Sequence, residues 1–152
     1  MFEAFKLKAH QVEQQEEILR SQIGELDKQT RKKFYTLYST LLKDPDTYAV
    51  LNFFFLTGLH HFYLKNLLKG SLNLSGFLVG LILIFGDSDN GLVTGFSFIC
   101  LIILIEMPAL FRSQIIVKHY NNRLATETLI KTKHSSVETL NQTVNKDTGL
   151  AT

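Results

Sequence analysis

Three apolar tracts in the middle of the sequence dominate its hydrophobic pattern. They cover approximately residues 45–64, 70–85 and 92–111, and almost all charged side chains lie outside or between them. A helix that crosses a bilayer needs about 20 mostly apolar residues, and charged residues are rare within such helices. The pattern therefore predicts an all-α fold whose centre is an integral membrane domain, either a helical hairpin or a three-helix bundle.

The flanking segments have different patterns. Residues 1–43 repeat apolar side chains at helical spacing between Glu, Gln, Lys and Arg, which predicts a long amphipathic helix or two helices in line. The membrane domain covers 44–124, because an amphipathic extension follows the third tract. Residues 125–152 are rich in Ser, Thr, Asn and Lys and have no persistent apolar period, so we predict a flexible, disordered polar tail.

A basic stretch lies in the second half of the amphipathic segment. Residues 28–43 contain five cationic side chains and no acidic one: Lys28, Arg31, Lys32, Lys33 and Lys43. Anionic lipid attracts such a segment by about 1 kcal/mol per Lys or Arg near the surface, so we expect contacts with headgroups and not with nucleic acid. The apolar stripe beside them lies on the membrane domain or the bilayer, or it pairs with another protein or a second copy.

The first apolar tract begins at a helix start signal. Asp44 precedes Pro45; proline suits the first helical turn, and an aspartate before it accepts hydrogen bonds from free N–H groups. We predict a helix from about Pro45 to residue 64. The turn between the second and third tracts contains Asp87 and Asp89 but lacks the glutamate of a calcium loop.

Two histidines and a glutamate lie well inside the apolar tracts as candidate buried polar contacts, namely His60, His61 and Glu106. Adjacent helical residues diverge by about 100°, so the histidines are not expected to hold one ion together, and no metal or other cofactor is predicted. One interpretation packs one histidine in the bundle and turns the other to the headgroups. The other pairs His60 or His61 with Glu106 across the bundle, since buried polar groups in membranes seek partners.

Two pairs of glycines are spaced four residues apart in the second and third tracts. They are Gly76 with Gly80 and Gly91 with Gly95. This spacing places both glycines of a pair on one helix face, where they permit a neighbouring backbone to approach closely. We predict that they mark helix packing within the hairpin, with dimerisation as the second possibility.

The distribution of cations favours one threading through the membrane. Besides the five in residues 28–43, cations near the tracts follow the first or the third: Lys65, Lys69, Arg112, Lys118 and Arg123. None lies between the second and third tracts. Cytoplasmic loops carry the excess of Lys and Arg, so we expect only the second and third tracts to cross, with both termini in the cytoplasm.

No catalytic constellation is recognisable. The sequence has no phosphate-binding glycine loop, no His-Glu-x-x-His motif and no nucleophile beside a base. Its one cysteine, Cys100, lies in an apolar run and is interpreted as a packing residue. A non-enzymatic role is therefore expected.

The sequence around the histidines resembles the TM-two domain family of small membrane modules. The residues that match its motif are Gly58, His60, Phe62, Tyr63 and Leu64, with Gly70 and Glu106 at later family positions. His61 stands in place of the family's arginine and Lys65 in place of its final glycine. The resemblance implies a location in a bacterial inner membrane and no particular chemistry.

Together these features predict a scaffold or regulatory adaptor. Its membrane domain would anchor a cytoplasmic amphipathic arm that contacts lipid headgroups and a protein partner. The alternative is an oligomeric transporter or channel component, with a polar cavity around His60, His61 and Glu106.

Overall fold

The computed structural model describes residues 7–54, 58–86 and 89–147, apart from the side chains of residue 140 and residues 143–147. Within these ranges the chain forms seven helices and no strand, which confirms the all-α prediction. The helices are α1 (Ala9–Gly24), α2 (Lys28–Leu41), α3 (Pro45–Phe53), α4 (Leu59–Tyr63), α5 (Leu67–Phe85), α6 (Gly91–Phe111) and α7 (Ser113–Asp147).

The chain divides into two compact units. The hairpin unit comprises Met1–Ala9 and Lys43–Tyr120 and contains α3 to α6. The arm unit comprises His10–Leu42 and Asn121–Thr152, so it is built from the two ends of the chain. Helix α7 contributes residues to both units.

The arm unit has its own hydrophobic core. Side chains from α1, α2 and α7 form it: Leu19, Ile23, Phe34, Ala125 and Leu129. The part of the apolar stripe that contains Leu19, Ile23 and Phe34 is thus covered by α7 of the same chain, which corrects the first of the two expectations for that part. Leu37 and Leu41, further along the stripe, are exposed.

The predicted amphipathic segment consists of two helices because Asp27 starts a new one. Its carboxylate accepts hydrogen bonds from the backbone N–H groups of Thr30 (3.0 Å) and Gln29 (2.9 Å). Such an N-cap satisfies groups that have no partner inside the helix. The hydrogen bonds from Thr30 hold the pKa of the Asp27 carboxyl below its usual range.

The prediction of a disordered tail over 125–152 is wrong as far as Asp147, where α7 ends; residues 148–152 lie outside the described part. The hydroxyls of Thr128 and Thr132 donate to backbone carbonyls one turn earlier, at 2.8 and 2.7 Å. Because these hydroxyls have partners within their own helix, both threonines can be buried although they are polar residues. Ser136 adds a hydroxyl contact of 3.0 Å to Thr30.

The predicted continuous first helix over 45–64 is also wrong. It begins at Pro45 as expected, where the Asp44 carboxylate accepts a 2.7 Å hydrogen bond from the N–H of Thr47. It then ends at Phe53, and the chain resumes as α4 after Gly58. With nine and five residues, α3 and α4 are each far shorter than a membrane crossing requires.

Helices α5 and α6 pack closely at two of the predicted glycines. A Cβ placed on Gly95 would lie 2.6 Å from the carbonyl oxygen of Gly80, and one on Gly80 would lie 2.6 Å from Cγ1 of Ile99. At Gly76 the nearest atom would be Cδ1 of Ile102, at 3.1 Å. The glycines therefore act within the hairpin, as predicted, and Gly91 is buried at the start of α6.

Among the residues that the structure describes, two helices are long and apolar enough to cross a membrane, namely α5 with 19 residues and α6 with 21. They correspond to the second and third apolar tracts. Helix α5 starts at Leu67, three residues before the predicted 70–85 boundary. Helix α6 includes Pro108 and ends at Phe111, as the 92–111 prediction has it.

Truncation of the arm-unit core should destabilise the protein. Phe34 is fully buried, so Phe34→Ala is expected to lower the free energy of unfolding by about 3–5 kcal/mol. The exposed Leu37 on the same helix provides the control, and Leu37→Ala should change it little. Thermal unfolding in detergent, followed by circular dichroism, measures both; equal losses would contradict the assigned core.

A methyl group at Gly95 should weaken the hairpin. It would meet the backbone of α5, which has little room to move, so Gly95→Ala is expected to cost about 1–3 kcal/mol. Gly76→Ala is the matched control, because its methyl would meet only the end of a flexible side chain. Thermal unfolding of both variants in detergent measures the difference; a Gly95→Ala variant as stable as Gly76→Ala would exclude the close approach.

Candidate functional site: a buried His-His-Glu cluster

Two adjacent histidines contact one glutamate inside the hairpin unit. Nε2 of His60 lies 3.3 Å from Oε2 of Glu106, and Nε2 of His61 lies 3.4 Å from Oε1. The exposed fractions of the side chains are 0% for His60, 14% for His61 and 3% for Glu106. Each histidine therefore faces its own carboxylate oxygen in a site nearly closed to solvent.

Helix α4 brings both histidines to the same side despite their adjacent positions. Their ring centroids are 4.0 Å apart with an interplanar angle of 43°. The helix has only five residues and begins after Gly58, whose φ of 64° is left-handed. A glycine adopts this conformation without the steric penalty of a Cβ. The sharp entry lets α4 pack against α5 instead of continuing α3.

Close backbone approach positions α4 on α5. A Cβ at Gly58 would lie 3.0 Å from the carbonyl oxygen of Gly70, and a Cβ at Gly70 would lie 2.8 Å from the ring of Phe62. Gly58, Gly70 and Phe62, all residues of the predicted motif, thus form one contact. Their role is to hold the helix that carries the histidines.

Tyr63 joins the start of α3 to the end of α4. Its hydroxyl oxygen accepts a 2.9 Å hydrogen bond from the backbone N–H of Asp44, and the ammonium group of Lys43 lies 4.5 Å from its ring centroid. Lys43 belongs to the hairpin unit and lies over an aromatic ring, where cations are attracted. Its contact with headgroups, expected together with that of four residues of α2, stays a prediction.

Helix α3 packs against α4 and α6 and carries two buried side chains, Tyr48 and Asn52. The ring of Tyr48 lies edge-on to His60, with centroids 5.4 Å apart. Asn52, one turn further along, is fully buried, and neither its amide nitrogen nor its oxygen has a hydrogen-bond partner in the described part of the chain. Nδ1 of His60 likewise has none there. The four-residue spacing of Tyr48 and Asn52 is the signal that places both on one helix face.

The structure decides between the two interpretations of the histidines. Pairing with Glu106 is observed, and both histidines take part, so the expectation that one of them turns to the headgroups is wrong.

The glycines of the hairpin lie elsewhere on α5 and α6 and do not contribute to the cluster. Lys28, Lys32 and Lys33 are exposed on α2 in the arm unit, and Arg31 is half-buried.

The cluster combines one carboxylate with two imidazoles, a set that can share protons or bind a cation. Lys65, which follows α4, is exposed and has a left-handed backbone with φ of 58°; it is not part of the cluster. Its conformation is the one that glycine favours, and glycine is what the TM-two motif has there.

No protein-family model, curated protein or solved structure matches the chain.

Removal of the buried charge should destabilise the hairpin unit. Glu106→Gln keeps the side-chain shape but removes the ionised acceptor of both histidines, so we expect a loss of about 1.5–3 kcal/mol. Glu127→Gln is the control, because Glu127 is exposed on α7. Thermal unfolding of both variants in the same detergent tests this. If Glu106→Gln were as stable as the control, the contacts would not stabilise the fold.

Proposed function

We propose that this protein is an integral membrane adaptor. In this proposal α5 and α6 form a membrane-spanning hairpin, and the arm unit is the part that meets other molecules. The arm unit is a folded helical module with its own core, which is a more specific binding surface than a single amphipathic helix. This observation carries the adaptor hypothesis.

The exposed surface of the hairpin supports a membrane location. Only 17% of the apolar stretch of α5 and 22% of that of α6 is buried. A core helix of a soluble protein would be mostly buried, whereas lipid covers the apolar surface of a membrane helix. Large apolar side chains such as Ile82, Phe85 and Leu104 are exposed along both helices. In water they would form an apolar patch far larger than soluble monomers carry.

The composition of the arm unit supports two crossings. Its core contains Phe34 from before the hairpin and Leu129 from after it. Because a packed core cannot form across a bilayer, the chain must return to the side on which it started. The number of crossings between these residues is therefore even. Crossings by α5 and α6 meet this requirement, and an additional crossing by α3 and α4 does not.

The charge distribution supports a cytoplasmic arm unit. With two crossings, the cations next to the membrane all lie on one side: Lys43, Lys65, Lys69, Arg112 and Lys118. The opposite turn, between α5 and α6, has none. The positive-inside rule assigns the cation-rich side to the cytoplasm. The resemblance to the TM-two family, which also remains a proposal, favours a bacterial inner membrane.

One surface of α2 is suited to both lipid and protein. It exposes apolar side chains, including Tyr35, Leu37 and Leu41, beside the exposed cations Lys32 and Lys33. Apolar residues flanked by cations favour binding at an interface with anionic headgroups. We propose that this face is where a partner protein docks next to the membrane.

The alternative, an oligomeric transporter or channel, has less support. Its proposed cavity would be lined by His60, His61 and Glu106, yet these side chains are buried within a single chain and contact one another. Ion flux in proteoliposomes, together with a ladder of cross-linked copies, would favour this alternative.

Photo-cross-linking in the native cells tests the adaptor. A photoreactive residue at Leu37 should capture a discrete protein partner, identified by mass spectrometry, because it lies on the exposed face of α2. Gln14, exposed on α1 in the same unit, is the control position and should not capture the same partner. Lys32→Glu should reduce capture at Leu37. Equal capture at both positions, or only lipid adducts at Leu37, would contradict the proposal.

A further inference from the structure

We propose that His60, His61 and Glu106 bind a divalent transition-metal ion of the zinc type. The ion would link α4 to α6 and so fix the position of the five-residue helix. This goes beyond the adaptor function and does not depend on it. It also replaces the expectation, drawn from adjacent positions on a helix, that the two histidines do not hold one ion together.

The ligand atoms of the three side chains lie close enough together to coordinate one metal ion. One ligand atom from each residue can be chosen such that all three lie within 4.8 Å of one another. The two nitrogen–oxygen distances are 3.3 and 3.4 Å. Ligands about 2.0–2.1 Å from a tetrahedral zinc are ~3.3 Å apart, whereas charge-assisted hydrogen bonds are about 2.7–2.9 Å long. The observed distances match the edge of a coordination tetrahedron better than a tight hydrogen bond.

The ligand types select the class of metal. Imidazole nitrogen suits Zn²⁺ and its first-row neighbours, whereas Mg²⁺ and Ca²⁺ prefer oxygen ligands. Two histidines and one carboxylate form a set of three that leaves a fourth position of a tetrahedron for another group. A divalent cation would also balance the charge of a carboxylate that is held away from solvent.

Asn52 is a second, independent observation that points to a bound group. Its amide is fully buried without a hydrogen-bond partner among the described residues. It lies one turn after Tyr48, whose ring contacts His60. Buried amides are normally satisfied, and a water or other ligand at the fourth position of the metal would offer Asn52 a partner.

Metal binding can be measured directly. The full-length protein, purified in detergent without a polyhistidine tag and treated with a chelator, is titrated with Co²⁺ at neutral pH. Visible absorption reports tetrahedral coordination, and the metal content after Zn²⁺ loading gives the stoichiometry. We expect one ion per chain, with competition between Co²⁺ and Zn²⁺. Affinity should fall at acidic pH, because ligand histidines must be neutral.

Matched variants assign the site. His60→Gln, His61→Gln and Glu106→Gln should each weaken Co²⁺ binding at least about tenfold, since loss of even outer-shell partners costs about 10–100-fold. The control is His134→Gln, because His134 is exposed on α7 in the arm unit; it should bind as tightly as the unaltered protein. Asn52→Leu should alter the Co²⁺ spectrum while retaining binding.

Two results would overturn the proposal. One is the absence of stoichiometric binding by the unaltered protein, which would leave the cluster as a proton-sharing contact. The other is equal binding by the cluster variants and the control, which would place the ion elsewhere. If Glu106→Gln or His60→Gln fails to fold in detergent, His61→Gln decides, because its side chain is the most exposed of the three.

Discussion

The hairpin unit depends on one constraint, which is that a carboxylate within an apolar helix must have partners. Glu106 lies near the end of α6, and an ionised side chain left alone in lipid is costly. Its partners come from α4, where His60 lies 46 residues earlier in the chain and 3.3 Å from the Glu106 carboxylate. Helix α3 ends at Phe53, the chain turns at Gly58, and α4 packs against Gly70, so that the two histidines reach Glu106. The same requirement accounts for Phe62 and for the buried face of α3.

A second interaction determines how the chain ends are used. The arm unit takes one part of its core from residues before the hairpin and the other from residues after it. In the proposed membrane arrangement, closure of this core requires an even number of crossings between its two parts. The contact between Gly80 and Gly95 holds α5 and α6 at short distance. Polar pairing, core packing and close backbone contact are all compatible with the two proposed crossings.

The sequence predicted the elements whose signals are local. The start of α3 at Pro45, the two long apolar helices and the contact at Gly95 follow from capping, hydropathy and glycine spacing. The break after Phe53 was missed because every residue there is compatible with a membrane helix, whereas the contacts that position α4 are made with Gly70 and Glu106, later in the chain. The length of α7 was missed because Thr128 and similar residues count as polar by composition, although their hydroxyls bond to their own helix. The first case depends on long-range partners and the second on hydrogen bonds within one helix.

The claim of two crossings with a closed arm unit is tested most directly by cysteine accessibility in oriented membrane vesicles. Single cysteines replace Ser39, Ser135 and Asn90 in a Cys100→Ala background, and a membrane-impermeant reagent is added from one side at a time. The account predicts that positions 39 and 135 react from the same side and position 90 only from the opposite one. Reaction of positions 39 and 135 from opposite sides, or of all three from one side, would contradict it.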